Sequence, residues 1–113
     1  FQLEQSVLAI VEKGYVPIMA HPERYPFYFH QSDGYHRLKD LGCLLQLNLL
    51  SPTGYYGREV TRAAEYLMKN DLYDLAGTDL HHERQLEKLI KYVKDGRAYR
   101  DLRNLSLRNE ELF

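Results

Sequence analysis

Three short apolar runs, each released into polar residues and separated from the next by a helical stretch, set the terms on which this chain can fold. They are Val16 to Ala20, Cys43 to Leu47 and Tyr73 to Ala76. Their length and apolarity predict buried strands, and Pro17 is tolerable near a strand's start. Leu3, Val7, Leu8, Ile10 and Val11 recur at helical spacing ahead of the first run and predict a helix over Gln2 to Lys13, stopped at Gly14. Helices are likewise predicted over Tyr35 to Leu41, around Val60, Ala63, Ala64, Leu67 and Met68, and over Glu83 to Lys94, where Leu86, Leu89, Ile90 and Val93 share one face. From Arg97 onward the helical signal weakens, and Asn109 to Phe113 is expected to be loose. Strands alternating with helices imply parallel pairing with crossover helices, an α/β architecture. A closed barrel of such units takes about 250 residues. The 113 residues here supply three units or so, as part of a barrel or as an open three-layer sheet.

The bulk properties narrow the function. Fifteen basic and 16 acidic residues leave a net charge of −1, which offers no excess to drive binding to a nucleic-acid backbone. No apolar run approaches the ~20 residues of a membrane span, and the expected location is the cytoplasm. The single cysteine, Cys43, sits in an apolar stretch and predicts a buried, inert thiol. Ten tyrosines are many for this length; Tyr with Arg makes stacking platforms, but half-exposed surface and interface positions are the favoured reading. The chain opens on Phe1 and enters a helix at once, so residues 1–113 are expected to be one partial domain of a longer protein.

Chemistry is suggested by position. The first run leads into His21-Pro22-Glu23-Arg24, the second into Gln46 and Asn48, the third into Thr78-Asp79-Leu80-His81-His82. In parallel α/β folds the C-terminal ends of the strands carry the functional groups, so these clusters are expected to meet at one rim. Asp79 and His81 offer a carboxylate and an imidazole two positions apart, a donor set suited to Mn, Fe or Zn; otherwise Asp79 caps the helix that begins near His82. His21, stiffened by Pro22, is a third candidate ligand. Arg24 presents a donor fork suited to phosphate, or forms an ion pair with Glu23 or a nearby Asp. Arg84 is a second phosphate contact or a surface residue, and Asn48 orients a ligand or caps its loop. His30, His36 and His82 read as structural. A thiol phosphatase needs an Arg at the far end of the loop after its Cys, and Leu49 stands there. Walker loops, nucleophile elbows and His-Glu-x-x-His helices are all missing from the sequence, leaving metal-activated water as the nucleophile.

Val16-Pro17-Ile18-Met19-Ala20-His21-Pro22-Glu23-Arg24-Tyr25 resembles a strand-and-turn motif of bacterial protein-tyrosine phosphatases of the polymerase-and-histidinol-phosphatase (PHP) type, found in capsular and exopolysaccharide clusters. Leu45 to Asn48 with Ser51, Gly54 and Gly57 resembles their next strand and loop, and Gly77-Thr78-Asp79-Leu80-His81 their late Asp-x-His motif. The resemblance spans almost the whole chain. It implies the C-terminal part of a distorted (β/α)7 barrel. It implies Mn2+, or Fe, Zn or Mg, held in part by His21, Asp79 and His81. Arg24 matches a phosphate-binding catalytic arginine, and Arg84 is the nearest match to a second. The implied substrate is a phosphotyrosine protein, a polysaccharide co-polymerase or tyrosine autokinase.

The family's opening His-x-His motif and its other early ligands have no counterpart here. Three ligands do not complete a multinuclear site, so the chain alone is expected to be inactive, to leave strand edges unpaired and to form homo-oligomers. Two alternatives stay open: a PHP phosphatase acting on a small ester such as histidinol phosphate, and a non-catalytic α/β oligomerisation module.

Overall fold

The computed structural model describes residues 2–112. Helix α1 (Gln2–Glu12) leads into β1 (Ile18–Ala20). Helix α2 (Asp33–Asp40) then carries the chain to β2 (Leu44–Asn48), and α3 (Arg58–Lys69) carries it to β3 (Leu75–Gly77). Helices α4 (Glu83–Lys94), α5 (Arg97–Leu102) and α6 (Asn109–Leu112) follow. The strands form one parallel sheet in the order β1-β2-β3, with Ala20 level with Gln46 and Asn48 level with Gly77. The α/β architecture read from the alternation is therefore the observed one.

The middle strand is the core. Its backbone is paired on both sides, and four of its five residues are buried, so no polar face is needed. Leu45, Leu47, Leu67, Tyr28, Tyr35 and Tyr73 pack together, and Val60, Ala63, Ala64 and Leu67 bury one stripe of α3. Cys43 is buried here, as expected. Four tyrosines (Tyr28, Tyr35, Tyr73 and Tyr92) are core residues rather than surface ones. Their hydroxyls end on Glu4, the Pro22 carbonyl, Glu23 and Asp101, which satisfies the polar tip while the ring is buried.

Several expectations are corrected. The first strand is shorter than Val16 to Ala20 and is not buried: Val16 and Ile18 are 64% and 45% exposed. Among the described residues it pairs on one side only, so one edge and the flanking side chains are exposed. The third strand starts later than Tyr73, because Tyr73 and Asp74 turn inward before it, the Asp74 carboxylate accepting the Leu45 amide at 3.0 Å. On α4 the apolar stripe points outward: Leu86, Ile90 and Val93 are exposed. The helix docks instead through Gln85 and Tyr92, whose polar ends reach the His81 amide and Asp101. Asn109 is not loose. Its carboxamide donates to the Ala76 carbonyl at 2.8 Å and accepts the Ala76 amide at 3.0 Å, pairing with β3 as a neighbouring strand would. Phe113 lies outside the described residues. Among those residues no helix is long and apolar enough to cross a membrane.

Candidate active site

The turn after β1 is built around two adjacent constraints. His21 adopts a left-handed conformation (φ 38°, ψ 62°), rare for a residue with a Cβ and a form of strain that concentrates at functional sites. Its amide donates to the Gln46 carbonyl at 2.8 Å, which continues the sheet by one bond. Pro22, with φ fixed by its ring, opens a 3-10 turn over Pro22–Arg24. The turn sends Glu23 inward and Arg24 outward.

Glu23 is completely buried. Its Oε2 accepts the Ser51 hydroxyl at 2.5 Å and the Asn48 amide at 3.2 Å, and its Oε1 accepts the Tyr73 hydroxyl at 2.6 Å. Burial pushes its pKa up, against the pull of those donors. Among the described residues no ion pair includes Glu23 or Arg24, so the alternative role of Arg24, a pair with Glu23 or a nearby Asp, is not observed. One carboxylate thereby ties the turn after β1 to the end of β2, the loop after it and the entry to β3.

Above this knot lies a pocket of about 160 Å³. His21, Gln46, Asn48 and Asp79 line it, so all three strand ends contribute, as the sequence positions implied. Gly77 forms one wall, where a Cβ would stand 2.6 Å from the Gln46 amide nitrogen. A side chain at this position would push the Gln46 carboxamide out of its place in the pocket wall.

The other candidates fall into place around the pocket. Asp79 does not cap α4; the cap position is His82, and Asp79 Oδ1 lies 3.0 Å from His81 Nε2. His81 is itself exposed. Asn48 both caps and links: its Oδ1 accepts the Leu50 amide at 3.0 Å, and its Nδ2 donates to the Tyr56 hydroxyl at 3.3 Å. Arg24 is exposed and lies over the Tyr56 ring, 4.2 Å from its centroid. Arg84 stands exposed in the first turn of α4, and no hydrogen bond among the described residues joins it to the pocket. His30, His36 and His82 take up contacts with Glu59, Tyr66 and Tyr55 away from the pocket lining.

The donor types suit a divalent metal, but the number does not. His21 and Asp79 share the pocket and His81 adjoins Asp79, yet no group of three or more His, Cys, Asp or Glu side chains among the described residues is gathered closely enough to hold an ion. An imidazole and a carboxylate at neighbouring strand ends supply part of a ligand set, not a closed one.

Residues 1–111 match the sequence profile of the capsular polysaccharide synthesis proteins CpsB/CapC. The chain belongs to the CpsB/CapC family. A curated relative, the tyrosine-protein phosphatase CpsB of Streptococcus pneumoniae, is 27% identical over 86 residues, a match that takes in 72% of this chain and 35% of the relative. The chain thus spans about a third of that protein's length. Crystal structures of YwqE from Bacillus subtilis and CpsB from Streptococcus pneumoniae, described as unique metal-dependent tyrosine phosphatases, include a chain of similar fold. The TM-score is 0.66 at 22% sequence identity, over 82% of this chain and 39% of that one.

For this CpsB/CapC chain, sequence reasoning missed the two side chains that organise the site. Glu23 was placed beside Arg24, but its partners Ser51 and Tyr73 lie 28 and 50 positions away. No local spacing signals them. Tyr56 was one tyrosine among ten. Its place beside glycines in the Gly54–Gly57 loop after β2 was the only cue, since glycine-bounded loops at strand ends are where binding groups collect.

Proposed function

We propose that this chain is the C-terminal part of a metal-dependent protein-tyrosine phosphatase that acts in capsular or exopolysaccharide synthesis. Residues 1–113 are one partial domain of a distorted (β/α)7 PHP barrel. The observation that carries the reading is the meeting of His21 and Asp79 at one pocket across three parallel strand ends, with Arg24 linked to its Asn48 wall through Tyr56. Membership of the CpsB/CapC family and likeness to a tyrosine phosphatase support it.

In this reading His21, Asp79 and His81 are part of the ligand set for Mn2+ or another divalent metal (Fe, Zn or Mg). When bound, such a metal neutralises phosphate charge and acidifies water at the site. Arg24 takes phosphate oxygens through its in-plane N–H groups, and Arg84, exposed at the start of α4, is the second phosphate contact. The leaving phenol has a pKa of about 10 and departs without strong help from a general acid. The substrate is a phosphotyrosine protein of the polysaccharide export machinery, a co-polymerase or tyrosine autokinase, met in the cytoplasm.

The test measures bound metal and turnover of a phosphotyrosine peptide for this chain alone and for the chain joined to the part of pneumococcal CpsB that it does not match. Metal and turnover in the joined form alone, both lost on His21→Ala or Asp79→Asn, are expected. Neither metal nor turnover in either form would overturn the reading.

A further inference from the structure

Arg24 needs something to hold it. It is exposed, and the carboxylate next to it in the chain, Glu23, is committed to Ser51, Tyr73 and the Asn48 amide. Long exposed arginines sample many rotamers, and an unrestrained guanidinium loses much of its interaction energy to ordering when it meets an anion. The ring of Tyr56 supplies the restraint. The guanidinium carbon lies 4.2 Å from the ring centroid, within the range of a cation–π contact.

The ring is itself fixed from the pocket side. Its hydroxyl accepts from Asn48 Nδ2 at 3.3 Å, and Asn48 is pinned by the Leu50 amide on its side chain and by Glu23 on its own amide. Tyr55 packs edgewise on Tyr56, with centroids 5.0 Å apart and planes at 89°. A continuous set of contacts therefore runs from the buried Glu23 through a pocket wall to the exposed guanidinium.

The kind of contact matters. A carboxylate partner would take up the N–H donors of Arg24. A ring touches the face of the guanidinium and leaves the five in-plane N–H groups available. We propose that Tyr56 is the positioning residue for Arg24: it holds the fork beside the His21–Asp79 pocket with its donors open to the oxygens of a phosphate group. This rests on the reading of Arg24 as a phosphate contact.

Inorganic phosphate is the probe, titrated into the chain while the Arg24 Nε–H resonance is followed by NMR. In the unaltered chain that resonance should lie upfield of ordinary arginines, from the ring current of Tyr56, and should move as phosphate is added. Tyr56→Leu should abolish the upfield position and weaken phosphate binding about fivefold, while Tyr56→Phe, which keeps the ring but not its bond to Asn48, should fall between the two. Arg24→Lys keeps the charge and should cost as much as Tyr56→Leu, with no further loss when the two are combined. The melting temperature of each variant identifies any that fails to fold. Phosphate affinity unchanged in Tyr56→Leu, or additive losses in the double variant, would overturn the positioning role alone. An Arg24 resonance in the unaltered chain that ignores phosphate would remove the phosphate role of Arg24, and this inference with it.

Discussion

The hydroxyl of Tyr73 donates to Glu23 Oε1 at 2.6 Å, across 50 positions of sequence and with both side chains sealed from solvent. This bond fastens the turn after β1 to the entry of β3. Among the described residues the hydroxyl has no other partner and the acceptor is fully buried, so Tyr73→Phe should lower the unfolding free energy by about 1.5 kcal/mol. Urea denaturation of the two proteins measures it.

Glu23→Ala should be worse, by about 3 kcal/mol, because three buried donors lose their acceptor at once. Glu23→Gln keeps the shape and one acceptor oxygen and should cost roughly half as much. No loss in the Gln variant in the same denaturation series would show that the side chain acts only by filling space, and equal losses for the two would show that its volume contributes nothing.

The left-handed conformation of His21 gives a separate signature. His21→Gly should cost no measurable stability, since glycine takes this backbone without strain, whereas His21→Val should lose about 1–2 kcal/mol. Phosphatase activity of the joined protein should fall in both. A marked loss of stability in the glycine variant would argue that the imidazole is there for packing.

Glu4 and Arg37 make a pH-dependent contact between α1 and α2. The hydrogen bond from Arg37 holds the Glu4 carboxyl below its ordinary value of 4.5. A carboxyl depressed in the folded state adds stability above its ordinary value and loses it as pH falls through the folded one. Glu4→Gln should therefore lower the melting temperature slightly at neutral pH, and the difference should close in acid. The Arg37 side chain is half exposed and Glu4 partly so, and solvent screening keeps the effect small. A difference that persists at low pH would show that the contact acts through packing.

Cys43 should resist thiol reagents. Burial raises its pKa, and the thiolate is the reactive form. Reaction with an aromatic disulfide should follow the rate at which the fold opens and accelerate with denaturant. Immediate labelling of the native chain would contradict the buried position.

The fold class was legible because β2 is apolar almost throughout and the runs around it alternate with helical periodicity. What periodicity could not tell was which apolar face meets a partner. Leu86, Ile90 and Val93 have the spacing of a buried stripe and are exposed, while Gln85 and Tyr92 of the same helix are buried. Val16 and Ile18 read as core and lie at a sheet edge, a property of the strand order rather than of the residues. At the site, His21 and Asp79 were legible from their place after the strands. Glu23 and Tyr56 were not, because their roles come from partners that only the folded chain brings near.

The carboxamide of Asn109 has a consequence for the outer edge of β3. A strand that joins a parallel sheet must find free backbone groups along its flank. At Ala76 both groups are already taken by one side chain, so no further strand can be templated at that position without first displacing Asn109.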